Sequence, residues 1–176
     1  MIKLINLYAG LTAKLSLYLT DIYLLLARLL VASVFFQSGL TKWNGFLSFN
    51  PDKYDLFLYE FFCPDPVREG ALLLCDPITL DYVEGSTTVS IIETLAVSAG
   101  VAEIVLPIML ALGFLTRVGA AGLIGMTLFI SLAVFPTWEH WWNPAVWWFI
   151  ALLSVLSMGP GRLSLDKLFG FEKRVA

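Results

Sequence analysis

The chain has 176 residues, of which 59% are hydrophobic and only 14% charged, and its mean hydropathy is +0.81. Soluble domains are far less apolar, so the composition predicts a membrane protein. A net charge of −3 without a dense Lys/Arg patch argues against nucleic-acid binding. Lipid offers backbone amides no partner, so spanning segments must be helices or closed barrels, and the long unbroken apolar runs indicate helices.

The first twenty residues do not have the pattern of a removable signal peptide, because Lys14 interrupts the apolar stretch and no small-residue cleavage site follows it. Apolar residues recur there at helical spacing, which predicts a segment lying in the membrane interface. The residues that carry this pattern are Leu4, Tyr8, Leu11, Leu15 and Tyr18.

Four apolar segments follow, and they predict an all-α fold, a four-helix transmembrane bundle that forms a single domain over residues 1–176. A 40-residue outer loop, 48–87, separates the first two spans and carries eight acidic residues against Lys53 and Arg68. The tail, 159–176, contains a helix stop at Gly159-Pro160-Gly161 and Ser164 as a cap for a short surface helix. The predicted spans are about 22–47, 89–113, 118–135 and 141–158.

Basic residues near the membrane predict the orientation of the bundle. They all fall on one side, which should be cytoplasmic together with both termini, so the acidic loop and the Trp/His segment 136–148 lie on the outer side. The basic residues are Lys3, Lys14, Arg117, Arg162, Lys167, Lys173 and Arg174.

Charged residues within spans are costly, so they usually face inward and are paired. Depths estimated from the helical rise predict two layers. The inner layer joins Arg28, Glu103 and Arg117; the outer layer joins Lys42, Glu93 and either Glu139 or His140. Structural ion pairs and a functional site are equally good interpretations of the inner layer. The outer layer favours function, because a ligand could reach it from the lipid beside the tryptophans.

The segment "PTWEHWWNPAVWW" contains the chain's one histidine, His140, and five of its six tryptophans. Tryptophans at headgroup depth are typical of an interfacial belt. Trp141 and Trp148 are seven residues apart and share one helical face, which predicts a pocket for a flat ring beside His140, Lys42 and Glu93.

Several stretches together resemble the DoxX family of small bacterial membrane proteins. They are "LLARLLVASVFFQSGLTKW", "AGVAEIVLPIMLALGFLTRVGAAGLIGMT", a histidine before the last span, and "MGPGRLSLDKL". The family's pattern falls on Arg28, Gly39, Lys42, Glu103, Pro107, Gly113, Arg117, His140, Gly159, Pro160, Gly161, Ser164 and Asp166. This chain departs from the family in its first loop, where residues 63–88 look like an insertion.

The resemblance implies a four-helix protein of the bacterial inner membrane that takes part in a quinone-linked redox complex. A quinone needs an apolar slot, a flat stacking partner and donors for its carbonyl oxygens. We therefore expect catalytic roles for Lys42, Glu93 and His140. The cofactor-binding candidates are Trp141, Trp148, Arg28, Glu103 and Arg117. Neither a metal nor a nucleotide is expected, since the sequence lacks a metal-ligand cluster and a nucleotide-binding glycine fingerprint.

Cys63 and Cys75 are the chain's two cysteines, and both lie in the predicted outer loop, which would face an oxidising compartment. They are therefore expected to form a disulfide. A structural clip is favoured over a redox-active pair, because quinone-linked disulfide oxidases generally use closely spaced cysteines and these two are widely spaced.

Other functions are also compatible with the sequence. A non-catalytic anchor or assembly subunit would hold a soluble partner protein at the membrane through the acidic loop. Within the membrane, the expected partners are other subunits of a redox complex or further copies of the chain. A small-anion carrier could use Arg28, Lys42 and Arg117, although four spans without a repeat disfavour it. A haem protein would need Met109, Met126 or Met158 level with His140, and none is obviously so placed.

Overall fold

The chain folds into helices joined by turns and one ordered loop. The computed structural model describes residues 2–83 and 85–171, except for the side chains of residues 2–7, 13 and 14. Within these residues no β-strand is formed, and the helices in chain order are α1 (Ile2–Leu40), α2 (Asp52–Asp55), α3 (Thr87–Leu112), α4 (Thr116–Phe129), α5 (Trp138–His140), α6 (Val146–Met158) and α7 (Leu165–Leu168). Wider, π-type turns extend α2 through Leu56–Phe61, α4 through Ile130–Val134, and α5 through Trp141–Ala145.

Four helical segments of the described chain are long and apolar enough to cross a membrane. They are Tyr8–Leu40, Thr87–Leu112, Thr116–Val134 and Trp138–Met158. The all-α, four-helix fold predicted from the sequence is therefore confirmed. The last three spans agree with the predicted bounds to within a few residues, whereas the first, predicted as 22–47, is Tyr8–Leu40.

The four long helices form a ring in which α1 packs against α3 and α6, and α4 packs against the same two helices. Lipid tails are as apolar as the side chains themselves, so close packing rather than water exclusion holds such a bundle together. Alanines at the contacts let the helices approach. The buried centre contains Leu24, Ala27, Val31, Ala32, Phe35, Leu110, Ala120, Leu123, Leu152 and Val155.

The two ends of the bundle differ. At one, which we call the tail end, α3 turns into α4 and α7 follows α6. Gly113 ends α3 in the left-handed region at φ 70°, and α6 ends at Met158 before Gly159, as the sequence predicted. Ser164 caps α7 by accepting from the Lys167 amide at 3.2 Å, also as predicted. The other end, the loop end, contains residues 41–86 and α5.

The N-terminal segment is continuous with the first span, although the sequence predicted a separate interfacial helix. No proline or glycine pair interrupts α1, and its single early glycine, Gly10, does not break the helix. At 1.5 Å per residue α1 is roughly 58 Å long, about twice the hydrocarbon thickness of a bilayer. Leu4 lies outside the side chains that the structure describes, as do Lys3 and Lys14.

The loop between α1 and α3 has a small core of its own. Aromatic side chains from the turns after α2 pack against the first turns of α3. The buried members are Phe57, Leu58, Phe62, Ile92 and Ala96. The predicted disulfide between Cys63 and Cys75 is present, with Cα atoms 5.6 Å apart. Residues 172–176, which include Lys173 and Arg174, and Glu84 of the acidic loop lie outside the described residues.

Candidate functional site

A buried ion pair joins Lys42, just beyond the end of α1, to Glu103 in α3. The distance between Lys42 Nζ and Glu103 Oε2 is 2.6 Å, and the two side chains are 9% and 7% exposed. Lys42 Nζ also donates to Ser38 Oγ at 3.4 Å. A lysine ammonium has three donors, so these two acceptors leave one hydrogen for a further partner.

Gly39 brings the two helices close enough for this pair to form. A Cβ atom at this position would lie 2.7 Å from the carbonyl oxygen of Glu103, so only glycine fits. Lys42 lies nearly one turn further along, and side chains of a helix lean toward its N-terminus, which returns the ammonium to the level of Glu103. The prediction that Gly39 permits close approach is confirmed.

The predicted inner layer of Arg28, Glu103 and Arg117 is wrong, because Glu103 pairs with Lys42. The error came from counting depth from the predicted start of the first span. In the structure the guanidinium of Arg28 bonds the Ala111 carbonyl, so the Arg28 side chain lies level with the last turn of α3 at the tail end. Glu103 is eight residues before Ala111 in α3, about 12 Å away along the helix.

Beside the ion pair is a cavity of about 560 Å³, enclosed by α1, α3, α4, α6 and the outer loop. Its walls are mostly apolar and aromatic. The polar groups that line it include Lys42, Glu103, Ser38, Ser98 and His140. Small-molecule sites have this character, with an apolar wall and a few polar groups that orient the ligand.

His140 closes the loop end of the cavity. Its ring lies against the ring of Phe135, with centroids 5.2 Å apart, and its backbone amide donates to Thr137 Oγ1. Its Nε2 atom is shielded from solvent and has no hydrogen-bond partner among the described residues. A buried polar atom of this kind is costly unless something bonds it, so it indicates a place for a ligand or an ordered water.

Trp148 lines the cavity and packs edge-on against Phe35 at 5.5 Å, but Trp141 does not join it. Trp141 instead borders a separate surface depression beside Trp138. The predicted shared face is therefore wrong. The seven-residue argument assumed one regular helix, and Asn143 interrupts it with φ −148° and ψ 102°.

The predicted outer layer is only partly assembled. Lys42 and His140 both line the cavity, whereas Glu93 is exposed on the surface of α3 and Glu139 is exposed on α5. Relative to Glu103, Glu93 is rotated by roughly 80° around the helix at 3.6 residues per turn. Glu93 therefore does not line the cavity. Glu103 is the carboxylate that pairs with Lys42, the position predicted for Glu93.

The outer loop supplies part of the cavity wall, which the sequence analysis missed. Phe57, Phe61 and Phe62 come from the turns after α2 and cover the cavity from the loop end. Arg68 lies over the ring of Phe135 at 4.5 Å and donates to the carbonyl of residue 134. The run "YDLFLYEFF" carries a hint of this, since five of its nine residues are aromatic.

Several bonds hold the loop in place. The amide of Leu74 donates to the Phe62 carbonyl at 2.9 Å, close to the disulfide, and the amide of Leu72 donates to Ala133 beyond α4 at 2.8 Å. Tyr82 donates its hydroxyl proton to the Leu58 carbonyl at 2.9 Å. Burial raises the pKa of Tyr82 to about 12, so this donor stays protonated at physiological pH. The loop is an ordered cover.

At the tail end, Arg28 joins three chain segments. It is 1% exposed, and its guanidinium donates to the carbonyls of Leu163 at 2.8 Å, Ala111 at 3.4 Å and Pro160. Carbonyl groups at helix ends lack partners within their own helix, and a guanidinium with several donors can serve them. This geometry gives Arg28 a structural role, not contact with a ligand in the cavity.

Asp166 fixes the start of α4 in the same region. Its carboxylate accepts from the amides of Leu115 at 2.7 Å and Thr116 at 2.8 Å and from the Thr116 hydroxyl at 2.6 Å. A carboxylate at a helix N-terminus bonds otherwise unpaired amides and favours the helix dipole. Arg117 is exposed nearby and donates to the Leu156 carbonyl at 2.5 Å. Neither Arg28 nor Arg117 lines the cavity.

The donor set fits an uncharged aromatic or quinone ring better than a metal ion. Aromatic rings, an unbonded imidazole nitrogen and an ammonium with a spare hydrogen suit carbonyl oxygens on a flat ring. Among the described residues, no group of three or more His, Cys, Asp and Glu side chains is placed to hold a metal.

These features define a multi-pass α-helical membrane protein with an internal, partly polar cavity. A sequence profile of the DoxX family matches residues 23–136, nearly two thirds of the chain. The chain therefore belongs to the DoxX family. No curated protein and no solved structure matches it significantly.

Proposed function

We propose that the protein is an inner-membrane subunit of a quinone-linked oxidoreductase complex and that the cavity binds the quinone ring. One observation carries the proposal. The same apolar cavity of about 560 Å³ contains the buried Lys42–Glu103 pair and His140 with its unbonded Nε2. A purely structural ion pair would not need an adjoining cavity with a second polar group.

The residues around the cavity have separate roles in this proposal. Lys42 uses its remaining hydrogen to bond one carbonyl oxygen of the ring, and His140 Nε2 bonds the other. Trp148 and Phe35 form one apolar wall. A bound quinone accepts two electrons and two protons in this chemistry. Lys42 is placed to donate a proton to the ring, and Glu103, in contact with the ammonium, is placed to pass a replacement proton to it.

Electrons would come from another protein or a soluble reductant, such as a reduced sulfur compound. The sequence has no nucleotide-binding glycine fingerprint, so the chain itself would not take electrons from a nucleotide. A donor that docks at the outer face agrees with the predicted orientation. In that orientation both termini are cytoplasmic, and the loop end of the bundle, with His140, faces outward.

Quinone retention tests the proposal. The protein is purified in mild detergent at native expression, and extracted lipids are analysed by mass spectrometry. We expect the wild-type protein to retain quinone and the double variant Lys42→Met/Glu103→Met to lose it. Replacing both partners avoids leaving one buried charge unpaired. Glu93→Gln is the matched control, because this carboxylate is in the same helix but outside the cavity, and it should retain quinone. Wild-type protein without quinone, even after quinone is added back, contradicts the proposal.

A non-catalytic assembly subunit is the second candidate function. Its supporting observation is that every acidic residue described in the outer loop is exposed, although the loop itself is ordered. These residues are Asp52, Asp55, Glu60, Asp65, Glu69, Asp76 and Asp81. Under this alternative, neutralising Asp76 and Asp81 would release a co-purifying protein, and the cavity variants would leave that partner bound.

A further inference from the structure

The cavity has an exposed edge between α3 and α4. On α3, Leu95 and Ser98 both line the cavity and are exposed; on α4, Gly125 and Phe129 do the same. Exposure on both facing helices means that the cavity reaches the lateral surface of the bundle there. On the opposite side, Val34 and Ser38 of α1 line the cavity and are exposed, but the lining residue of α6, Trp148, is partly buried.

The packing of α3 against α4 explains why the gap lies in the half nearer the loop end. Close to the tail end, a Cβ atom at Gly119 would lie 3.3 Å from the Leu106 carbonyl oxygen, and one at Gly122 would lie 2.8 Å from Leu106 Cδ1. At Gly125 a Cβ atom would have no neighbour within 4 Å. The two helices therefore touch around Leu106 and separate toward Ser98, about 12 Å further along α3.

The routes through the two ends of the bundle are closed. At the loop end the cavity is covered by Phe57, Phe61 and Phe62, and Phe62 is only 1% exposed. Toward the tail end, Leu110 and Leu123 fill the space between the helices and are fully buried. A molecule dissolved in water on either side would have to displace these side chains.

We propose that the ligand enters the cavity from the lipid, through the gap between α3 and α4, and that its apolar chain remains in this gap when its ring is bound. This inference rests on the proposed function and specifies it: the substrate is a membrane-dissolved quinone with a long isoprenoid chain, not a water-soluble quinone. The rim agrees with this chemistry. Leu95, Gly125 and Phe129 make most of this edge apolar, with Ser98 as a polar residue among them, while Lys42, Glu103 and His140 are less exposed.

Filling the gap tests the inference. The full chain is reconstituted in lipid bilayers with a long-chain quinone, and exchange of the bound quinone with isotope-labelled quinone in the same bilayer is followed by mass spectrometry. Gly125→Phe places a ring in open space, so we expect the variant to fold and to slow this exchange about tenfold, by raising the barrier to passage through the gap. Binding of the same quinone ring without its chain should be unchanged at equilibrium.

Two variants separate the entrance from general effects of added bulk. Ala121→Phe is the matched control, because Ala121 is exposed one turn away on α4 and does not line the cavity, and it should exchange at the wild-type rate. Val34→Phe adds bulk to the opposite wall of the cavity and should slow exchange less than Gly125→Phe does. If Gly125→Phe exchanges quinone at the wild-type rate, or if only Val34→Phe slows exchange, the entrance does not lie between α3 and α4. Neither result would contradict quinone binding in the cavity. Wild-type protein that binds neither quinone overturns the proposed function as well.

Discussion

Lys42 and Glu103 are both charged residues buried against apolar neighbours, and the interaction between them decides whether either can be tolerated. Moving two charges out of water is costly, and their contact at 2.6 Å offsets that cost only while both are present. The residue-level consequence is asymmetric. Loss of one partner leaves an unpaired charge in the bundle, whereas loss of both leaves none.

We predict that Lys42→Met destabilises the protein by about 3–5 kcal/mol and that the double variant Lys42→Met/Glu103→Met recovers most of this loss. The free energy of unfolding in mixed micelles, measured by denaturant titration, checks the prediction. If the double variant is as unstable as the single one, the pair is not the source of the effect.

At the same scale, the sequence identified most of the polar residues of the site but paired them incorrectly. Lys42, His140 and Glu103 were all candidates, and all three line the cavity. Glu93 was chosen as the partner of Lys42 because depth was counted from span boundaries that sequence cannot locate to within a turn. The roles of these residues in catalysis stay predictions.

Among the helices, α1 can approach α3 closely only because residue 39 is a glycine. Gly39 lies against the backbone of Glu103, and rigid helix backbone cannot move away as a flexible side chain could. The position of Lys42 relative to Glu103 follows from this contact, so helix spacing and ion-pair geometry change together.

We predict that Gly39→Ala destabilises the bundle by roughly 1–3 kcal/mol, because the added methyl overlaps the Glu103 carbonyl and pushes the helices apart. Thermal unfolding in detergent measures the loss. Gly10→Ala is the matched control in the same helix: it meets nothing within 4 Å, and alanine favours helix by up to about 1 kcal/mol. Equal effects of the two substitutions would show that helix propensity, not contact with α3, governs the result.

Helix existence and order were predicted at this scale, whereas the interruption within the last span was not. The long apolar runs predicted all four spans, because a helix that crosses the lipid must be about 20 apolar residues long. The break at Asn143 precedes Pro144, whose ring disfavours helical backbone in the residue before it, and it separates Trp141 from Trp148. Likewise, the long helix α1 has no internal stop signal, so its N-terminal extension could not be told from an interfacial segment by spacing alone.

For the whole molecule, the outer loop acts as a cover tied to the bundle, and the disulfide lies at its centre. Cys63 is 2% exposed and directly follows Phe62, which lines the cavity. This burial favours the structural clip over a thiol pair that exchanges electrons with a soluble partner, because exchange requires access to the sulfur. Sequence predicted the disulfide but not that its neighbours would enclose a cavity, since the loop reaches the cavity through contacts with segments distant along the chain, such as Leu72 with Ala133.

We predict that replacing both cysteines by serine lowers the free energy of unfolding by about 3 kcal/mol, the loop-closure contribution expected for a crosslink of this size. Denaturant titration of the oxidised wild-type protein and the double variant measures the difference. The double variant should still retain quinone if the disulfide is only a clip. Loss of electron transfer without loss of stability would instead indicate a redox-active pair.

The neutrality of the Lys42–Glu103 pair has an electrical consequence. The two opposite charges cancel, so the transmembrane voltage exerts no net force on the resting pair. Removal of the Glu103 carboxylate by substitution would leave one positive charge, on Lys42, about 14 Å from the tail end of α3 and part of the way through the field. A charge that crosses the whole membrane changes in energy by about 2.3 kcal/mol per 100 mV. The membrane potential would therefore act on Lys42 in a Glu103→Gln variant, but not on the neutral pair of the wild-type protein.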